Sequence, residues 1–95
     1  EAEKLATRKY QLKSMYGITP DQYDDMLEEQ SLGCAICGGL CPTGRRLSVD
    51  HDHESGEVRG LLCSRCNRGL GMFQHSPDLL REAVEYLARS NRRFP

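Results

Sequence analysis

The stretch Val58-Arg59-Gly60-Leu61-Leu62-Cys63-Ser64-Arg65-Cys66-Asn67 decides the fold. Its first five residues read as a short strand, and the paired cysteines fall where that strand gives way to a helix. Upstream, Cys34-Ala35-Ile36-Cys37 repeats the spacing, with 25 residues between the two pairs. Two residues between ligands let the chain turn back, so both sulfurs reach one ion at about 2.3 Å. Gly38-Gly39 permits the tight turn after the first pair. Four thiolates close a tetrahedral shell, which marks a structural zinc with no open position. Soft sulfur ligands exclude magnesium and calcium at this site. Cys41 is left over and reads as a free thiol near the zinc. A ligand set with Cys41 in place of Cys37 is the open alternative.

The rest of the chain fits a zinc-stapled domain. Of 95 residues only 38% are hydrophobic, none is Trp and 28% are charged, so core material is thin and a staple helps. An odd number of cysteines, five, without a secretory signal argues against a disulfide framework. No run of 18 apolar residues is present, which excludes a membrane-spanning helix. The formal charge of -1 does not advertise nucleic acid. Charge is nonetheless local: Asp21, Asp24, Asp25, Glu28 and Glu29 form a solvated acidic helix face. Arg45, Arg46, Arg59, Arg65 and Arg68 surround the cysteines.

Residues 3–16 read as a helix ending at Gly17. Thr19-Pro20-Asp21-Gln22 opens a second with a capping box and proline at its first position, running to about Gln30. Leu47-Ser48-Val49-Asp50 and Val58–Leu62 read as strands around a Ser55-Gly56 turn, and Ser64 to about Met72 as a short helix. Gly69 and Gly71 within it read as close packing or fraying. Ser76-Pro77-Asp78 starts a last helix, with Leu79, Leu80, Ala83, Val84 and Leu87 facing inward. The expected architecture is α+β and mostly helical. A zinc-stapled ββα-metal, treble-clef-like core is flanked by N-terminal helices and one C-terminal helix. All of 1–95 forms one domain: a helical part at 1–32, the core at 33–73, and the last helix at 76–91.

Between the knuckles lies Val49-Asp50-His51-Asp52-His53. Imidazoles and carboxylates this dense are not core composition. In a ββα arrangement Asn67 on the helix can face Asp50 and His51 across a small cleft. Ideal strand alternation sends Asp50 and His51 to opposite faces, so the strand must break or twist there. Such a set suits hydrolytic chemistry, which needs an activated water, charge stabilisation and help for the leaving group. A neutral histidine can take a proton from water near pH 7, and a hard ion prefers the oxygens of Asp and Asn. Arg59, Arg65 and Arg68 read as phosphate-binding, and Arg45 and Arg46 as able to reach DNA. His75 reads as structural or solvent-exposed.

Tyr16-Gly17-Ile18-Thr19, Cys34–Cys37, Val49–His53 and Val58–Asn67 together resemble the recombination endonuclease VII family, within the HNH (His-Me finger, ββα-metal) nucleases. The resemblance covers roughly residues 16–87. It implies that Asp50 and Asn67 ligate a catalytic Mg²⁺ or Mn²⁺, that His51 is the general base, and that His53 orients the phosphate or leaving group. It also implies zinc on Cys34, Cys37, Cys63 and Cys66. The expected function is a metal-dependent DNA endonuclease that nicks or cuts both strands, with branched DNA among the candidate substrates. The near-neutral charge predicts a short phosphate footprint and binding that weakens with salt. Nothing in the chain predicts strong base readout. The expected partner is DNA, not a membrane, and the oligomeric state is left open between monomer and weak dimer. A thiol-rich zinc site points to a reducing compartment, the cytoplasm. The competing reading is a non-catalytic zinc-ribbon or treble-clef module that binds nucleic acid or protein. Asp50, His51 and Asn67 discriminate against it, since such a module has no need of them.

Overall fold

The computed structural model describes residue 12 and residues 16–93. The helix expected over 3–16 lies outside the described residues, apart from Leu12 and Tyr16, both helical. Helix α1 (Pro20–Glu29) starts as the sequence dictates. The Thr19 hydroxyl accepts from the Gln22 amide at 3.1 Å, and the Gln22 side chain accepts from the Thr19 amide at 2.8 Å. This reciprocal pair satisfies two of the orphan donors at a helix N-terminus. Tyr23 is its buried residue, and its hydroxyl donates to the Leu47 carbonyl at 2.5 Å.

Strands β1 (Ser48–His51) and β2 (Val58–Leu62) form an antiparallel two-stranded sheet. Ser48 pairs with Leu62, Val49 with Leu61 and Asp50 with Gly60, but His51 pairs with Val58. The register shift makes Arg59 the extra residue of a β-bulge. β1 itself runs unbroken through His51, and the irregularity opposite Asp50 and His51 lies in β2; Val49 and Asp50 are consecutive yet both buried. A bulge is the device that re-aims side chains within a ladder. The connecting loop is held by Asp52, whose carboxylate accepts from the amides of Glu54 at 2.8 Å and Ser55 at 3.0 Å. Gly56 supplies a positive φ of 78° for the return.

Helix α2 (Ser64–Met72) is N-capped by Cys63, and α3 (Pro77–Arg93) opens with the Ser76 hydroxyl accepting from the Leu79 amide at 3.2 Å. The core gathers Leu12, Tyr23, Leu47, Val49, Leu61 and Leu62 with Cys34, Cys41 and Cys63, and Tyr16, Ile18, Met26, Leu27 and Leu70 pack against it. Gln30 locks α1 onto β2. Its amide nitrogen donates to the carbonyls of Gly33 at 2.8 Å and Leu61 at 2.9 Å, and its amide oxygen accepts from Leu61 N–H at 2.9 Å.

The inward face expected for the last helix is a correction. Leu80 and Ala83 are half-buried, but Leu79, Val84 and Leu87 are exposed, the last two at 63% and 65%. No described residue of α3 is among the apolar residues packed against the core, so the periodicity marks an apolar face that the described part of the core leaves largely uncovered. Among the described residues no helix is long and apolar enough to cross a membrane.

Candidate metal centre and active site

The first knuckle is shaped by backbone. Cys34 N–H donates to Gly39 O at 2.8 Å, and Gly38 N–H to Cys34 O at 2.9 Å. Gly38 sits at φ 77°, and a Cβ on Gly33 would lie 2.2 Å from Gly38 O, so the turn closes only on glycine. Amides then point at sulfur: Ile36 N–H to Cys34 Sγ, Gly39 N–H to Cys37 Sγ and Cys66 N–H to Cys63 Sγ, each at 3.4 Å. The four sulfurs of Cys34, Cys37, Cys63 and Cys66 lie within 4.8 Å of one another. Cys37 and Cys63 approach to 3.8 Å. A tetrahedron with metal–sulfur bonds of about 2.3 Å requires sulfurs about 3.8 Å apart, so the cluster fits a zinc ion. Cys41 is not part of it; its thiol donates to the Arg46 carbonyl at 3.4 Å.

The thiols titrate as a crowded anionic site. Burial raises the Cys34 thiol, but the amides of Cys37, Cys63 and Ile36 and the Cys66 thiol outweigh it and bring it down to about 6. Burial, then the neighbouring thiols of Cys63, Cys34 and Cys37, push Cys66 up to about 12. One thiolate is welcome and further ones repel it, which is the imbalance a divalent cation removes. Arg65 supplies part of the balance: contact with the Cys37 sulfur, then the charges of Cys37, Cys63 and Cys66, hold its guanidinium above the ordinary range.

The second cluster lies at the bulge. Asp50 is 7% exposed, and Arg59 grips it side-on, Nε to Oδ2 at 2.7 Å and Nη2 to Oδ1 at 3.1 Å. This bond raises the guanidinium pKa, offset in part by burial. A buried carboxylate needs such a partner. His51, half-buried at the end of β1, is flanked by the Tyr16 ring at 5.7 Å between centroids and by His53 at 5.1 Å. His53 in turn lies 4.7 Å from the His75 ring, and His75 Nδ1 is 3.3 Å from Arg59 Nη2. Asp52 belongs to the loop; the Ser55 amide, then that of Glu54, holds its carboxyl below the usual range.

Asp50, His51, His53 and Arg59 are thus brought together. Asn67 stands half-buried in the first turns of α2, its amide bonded to Cys63 O at 2.9 Å. No hydrogen bond among the described residues joins its side chain to Asp50. Asp50 and Asn67 offer oxygen donors suited to a hard divalent ion, and Asp50 already balances a cation in Arg59. Arg65 and Arg68 instead flank an open groove of about 430 Å³ with Pro42, Thr43, Ser64, Gly69 and Met72. Arg45 and Arg46 line a different groove, beside Tyr23 and Leu47.

Sequence reasoning missed two residues here. His75 is not alone between helices but contacts Arg59 and His53. Tyr16, given no part in the site by its place at the end of the helix read over 3–16, lies against His51. A single histidine after a helix carries no spacing signal, and Tyr16 is 35 residues from its partner in the chain.

The profile of the recombination endonuclease VII family matches residues 9–89. The Gene 59 protein of Mycobacterium phage L5 is 47% identical over 73 residues, 76% of this chain and 44% of the relative. The Gene 59 protein of Mycobacterium phage D29 is 44% identical over 75 residues, 78% and 46% of the two chains. The chain therefore spans less than half the length of these curated relatives. The crystal structure of the β-β-α-Me type II restriction endonuclease Hpy99I superposes with a TM-score of 0.55 at 30% identity, covering 82% of this chain and 46% of that one.

Proposed function

The chain belongs to the recombination endonuclease VII family, and from that premise we propose that it is a metal-dependent DNA endonuclease of the HNH, or His-Me finger, type. The observation that carries the reading is the bulge. It leaves a buried carboxylate, Asp50, beside a half-buried imidazole, His51, with Arg59 and His53 in contact range. A non-catalytic zinc module has no need to bury an ion pair there.

In this reading Cys34, Cys37, Cys63 and Cys66 hold a structural zinc that fixes the start of α2. Asp50 and Asn67 hold a Mg²⁺ or Mn²⁺ ion, which supplies Lewis-acid stabilisation of the phosphate and the leaving oxygen. His51, oriented by Tyr16 and His53, accepts the proton of the attacking water. His53 steadies the phosphate or the leaving group. Arg59 binds a phosphate oxygen, and Arg65 and Arg68 bind phosphates further along the strand, Arg65 while also balancing the thiolates. The substrate is DNA, bound chiefly through its backbone, so affinity falls as salt rises. The thiolate site suits a reducing compartment such as the cytoplasm.

The test is plasmid nicking by zinc-loaded protein with Mg²⁺, Mn²⁺ or EDTA, beside His51→Ala. Metal-dependent nicking that falls at least about a hundredfold in His51→Ala, with an unchanged circular dichroism spectrum, is the expected result. Equal activity in the variant removes His51 from the role of base. No activity on supercoiled, linear or branched DNA leaves a zinc-binding module instead.

A further inference from the structure

We propose that His75 is a positioning residue of this site, holding the Arg59 guanidinium and the His53 ring in fixed relation for a DNA phosphate. The inference rests on the nuclease reading. Three observations carry it. First, three of the five N–H groups of Arg59 are accounted for. Nε and one Nη2 hydrogen go to Asp50, and the other Nη2 hydrogen is directed at His75 Nδ1 at 3.3 Å. Arginine only donates, so His75 accepts at Nδ1 and carries its proton on Nε2. Among the described residues Nη1 makes no hydrogen bond, and its two N–H groups are those left for a phosphate oxygen.

Second, the backbone is bent to put His75 there. Helix α2 ends in a Schellman arrangement: Gln74 N–H donates to Gly71 O at 3.0 Å and His75 N–H to Leu70 O at 2.8 Å. Glycine normally fills the left-handed position of this motif, yet here Gln74 has φ 57° and His75 φ 53°. Each such residue costs about 1 kcal/mol or more and persists only where its surroundings over-determine it. The same closure ends α1 at Ser31 (φ 56°) and Leu32 (φ 65°), outside this site, so the backbone places His75 while its contacts with Arg59 and His53 are what single it out.

Third, Arg59 takes one lone pair on each oxygen of Asp50, so a divalent ion on that carboxylate shares it with the guanidinium. His75 is a partner of Arg59 that does not compete for the cation. It therefore keeps the guanidinium in place whatever Asp50 binds. α2 also links the two centres: its first turn carries the zinc ligand Cys66, and its far end delivers His75.

The variants follow from the backbone. His75→Gly removes the imidazole and tolerates a positive φ. His75→Asn also tolerates it and keeps an acceptor near the place of Nδ1. Two readouts are taken on the full chain. In nicking assays His75→Gly lowers kcat about tenfold or more with little change in KM for DNA, as expected when a phosphate group is mis-set and not lost. His75→Asn recovers most of the loss. In the Arg59→Gln background His75→Gly adds little. The second readout needs no activity. The Arg59 guanidinium ¹⁵Nη signals, assigned by their absence in Arg59→Gln, are resolved in the parent and in His75→Asn, and coalesce in His75→Gly. Unchanged Nη signals in a folded His75→Gly overturn the proposal. A kcat loss of the same size in both variants, or an undiminished effect in the Arg59→Gln background, also overturns it. A parent that cuts no DNA refutes the nuclease reading, while the Nη signals still decide whether His75 holds Arg59.

Discussion

At the scale of the residue, the site is built from groups whose neighbours leave them little choice. Asp50 is buried and must be paired, and the residue that pairs it is the one the bulge adds to β2. Gly33 is the sharpest steric case. A methyl group there meets the backbone oxygen of Gly38 at 2.2 Å, within the turn that presents Cys34 and Cys37. Gly33→Ala is expected to destabilise the protein by roughly 1–3 kcal/mol and to weaken zinc retention. Urea denaturation and zinc content measure the two effects; a variant equal to the parent in both would show that the knuckle is looser than the geometry requires.

At the scale of the element, the Gln30 lock and α3 differ in how much each is held by the core. Gln30 replaces a missing strand at the edge of β2, serving both the N–H and the carbonyl of the fully buried Leu61. Gln30→Ala leaves the buried Leu61 N–H without its partner, while the Leu61 carbonyl keeps the Ala35 N–H at 3.0 Å, at a cost of about 1–3 kcal/mol. A loss under 0.5 kcal/mol in urea titration would mean that water replaces the amide. On α3 the expectation runs the other way. Val84 is 63% exposed, so Val84→Ala should change stability by no more than about 0.5 kcal/mol, and a larger loss would show that this face is covered in solution. The capping box of α1, the start of α3 at Ser76 and the strand–helix junction at Cys63 were all legible in sequence, because each is a local hydrogen-bond pattern. The bulge was legible only as a contradiction between strand alternation and the need to use Asp50 and His51 together.

At the scale of the whole molecule, nine core residues, three of them cysteines, hold the described fold together. So little apolar burial leaves the metal to supply much of the stability. Removing zinc with a chelator should abolish most of the helical circular dichroism signal, and a spectrum unchanged after verified removal would refute the structural role. The pH dependence has a definite sign. The Cys34 thiol lies near 6 in the folded chain, below its ordinary value, so its contribution is present in alkali and is lost as pH falls through about 6. Cys66 is held up near 12 and must give up that proton to bind metal, so protons compete with zinc throughout the neutral range. Zinc should be retained at pH 8 and released, with the fold, on approaching pH 5. Retention at pH 5 over hours would contradict it.

The sequence by itself determined the two Cys-x-x-Cys pairs and the order of strands and helices, left Cys41 open as an alternative ligand, and marked the Val49–His53 segment as the expected place of chemistry. These depend on spacing over a few residues, where covalent geometry and turn preferences leave few alternatives. Only the tertiary structure decided that Arg59 grips Asp50, that Arg65 leans on the thiolates, that His75 and Tyr16 join the histidines, and that the apolar face of α3 stays largely uncovered. Those outcomes depend on which distant segments the hairpin, the bulge and the end of α2 bring within a few ångströms. No local periodicity encodes that proximity, because it is set by the packing of the whole core.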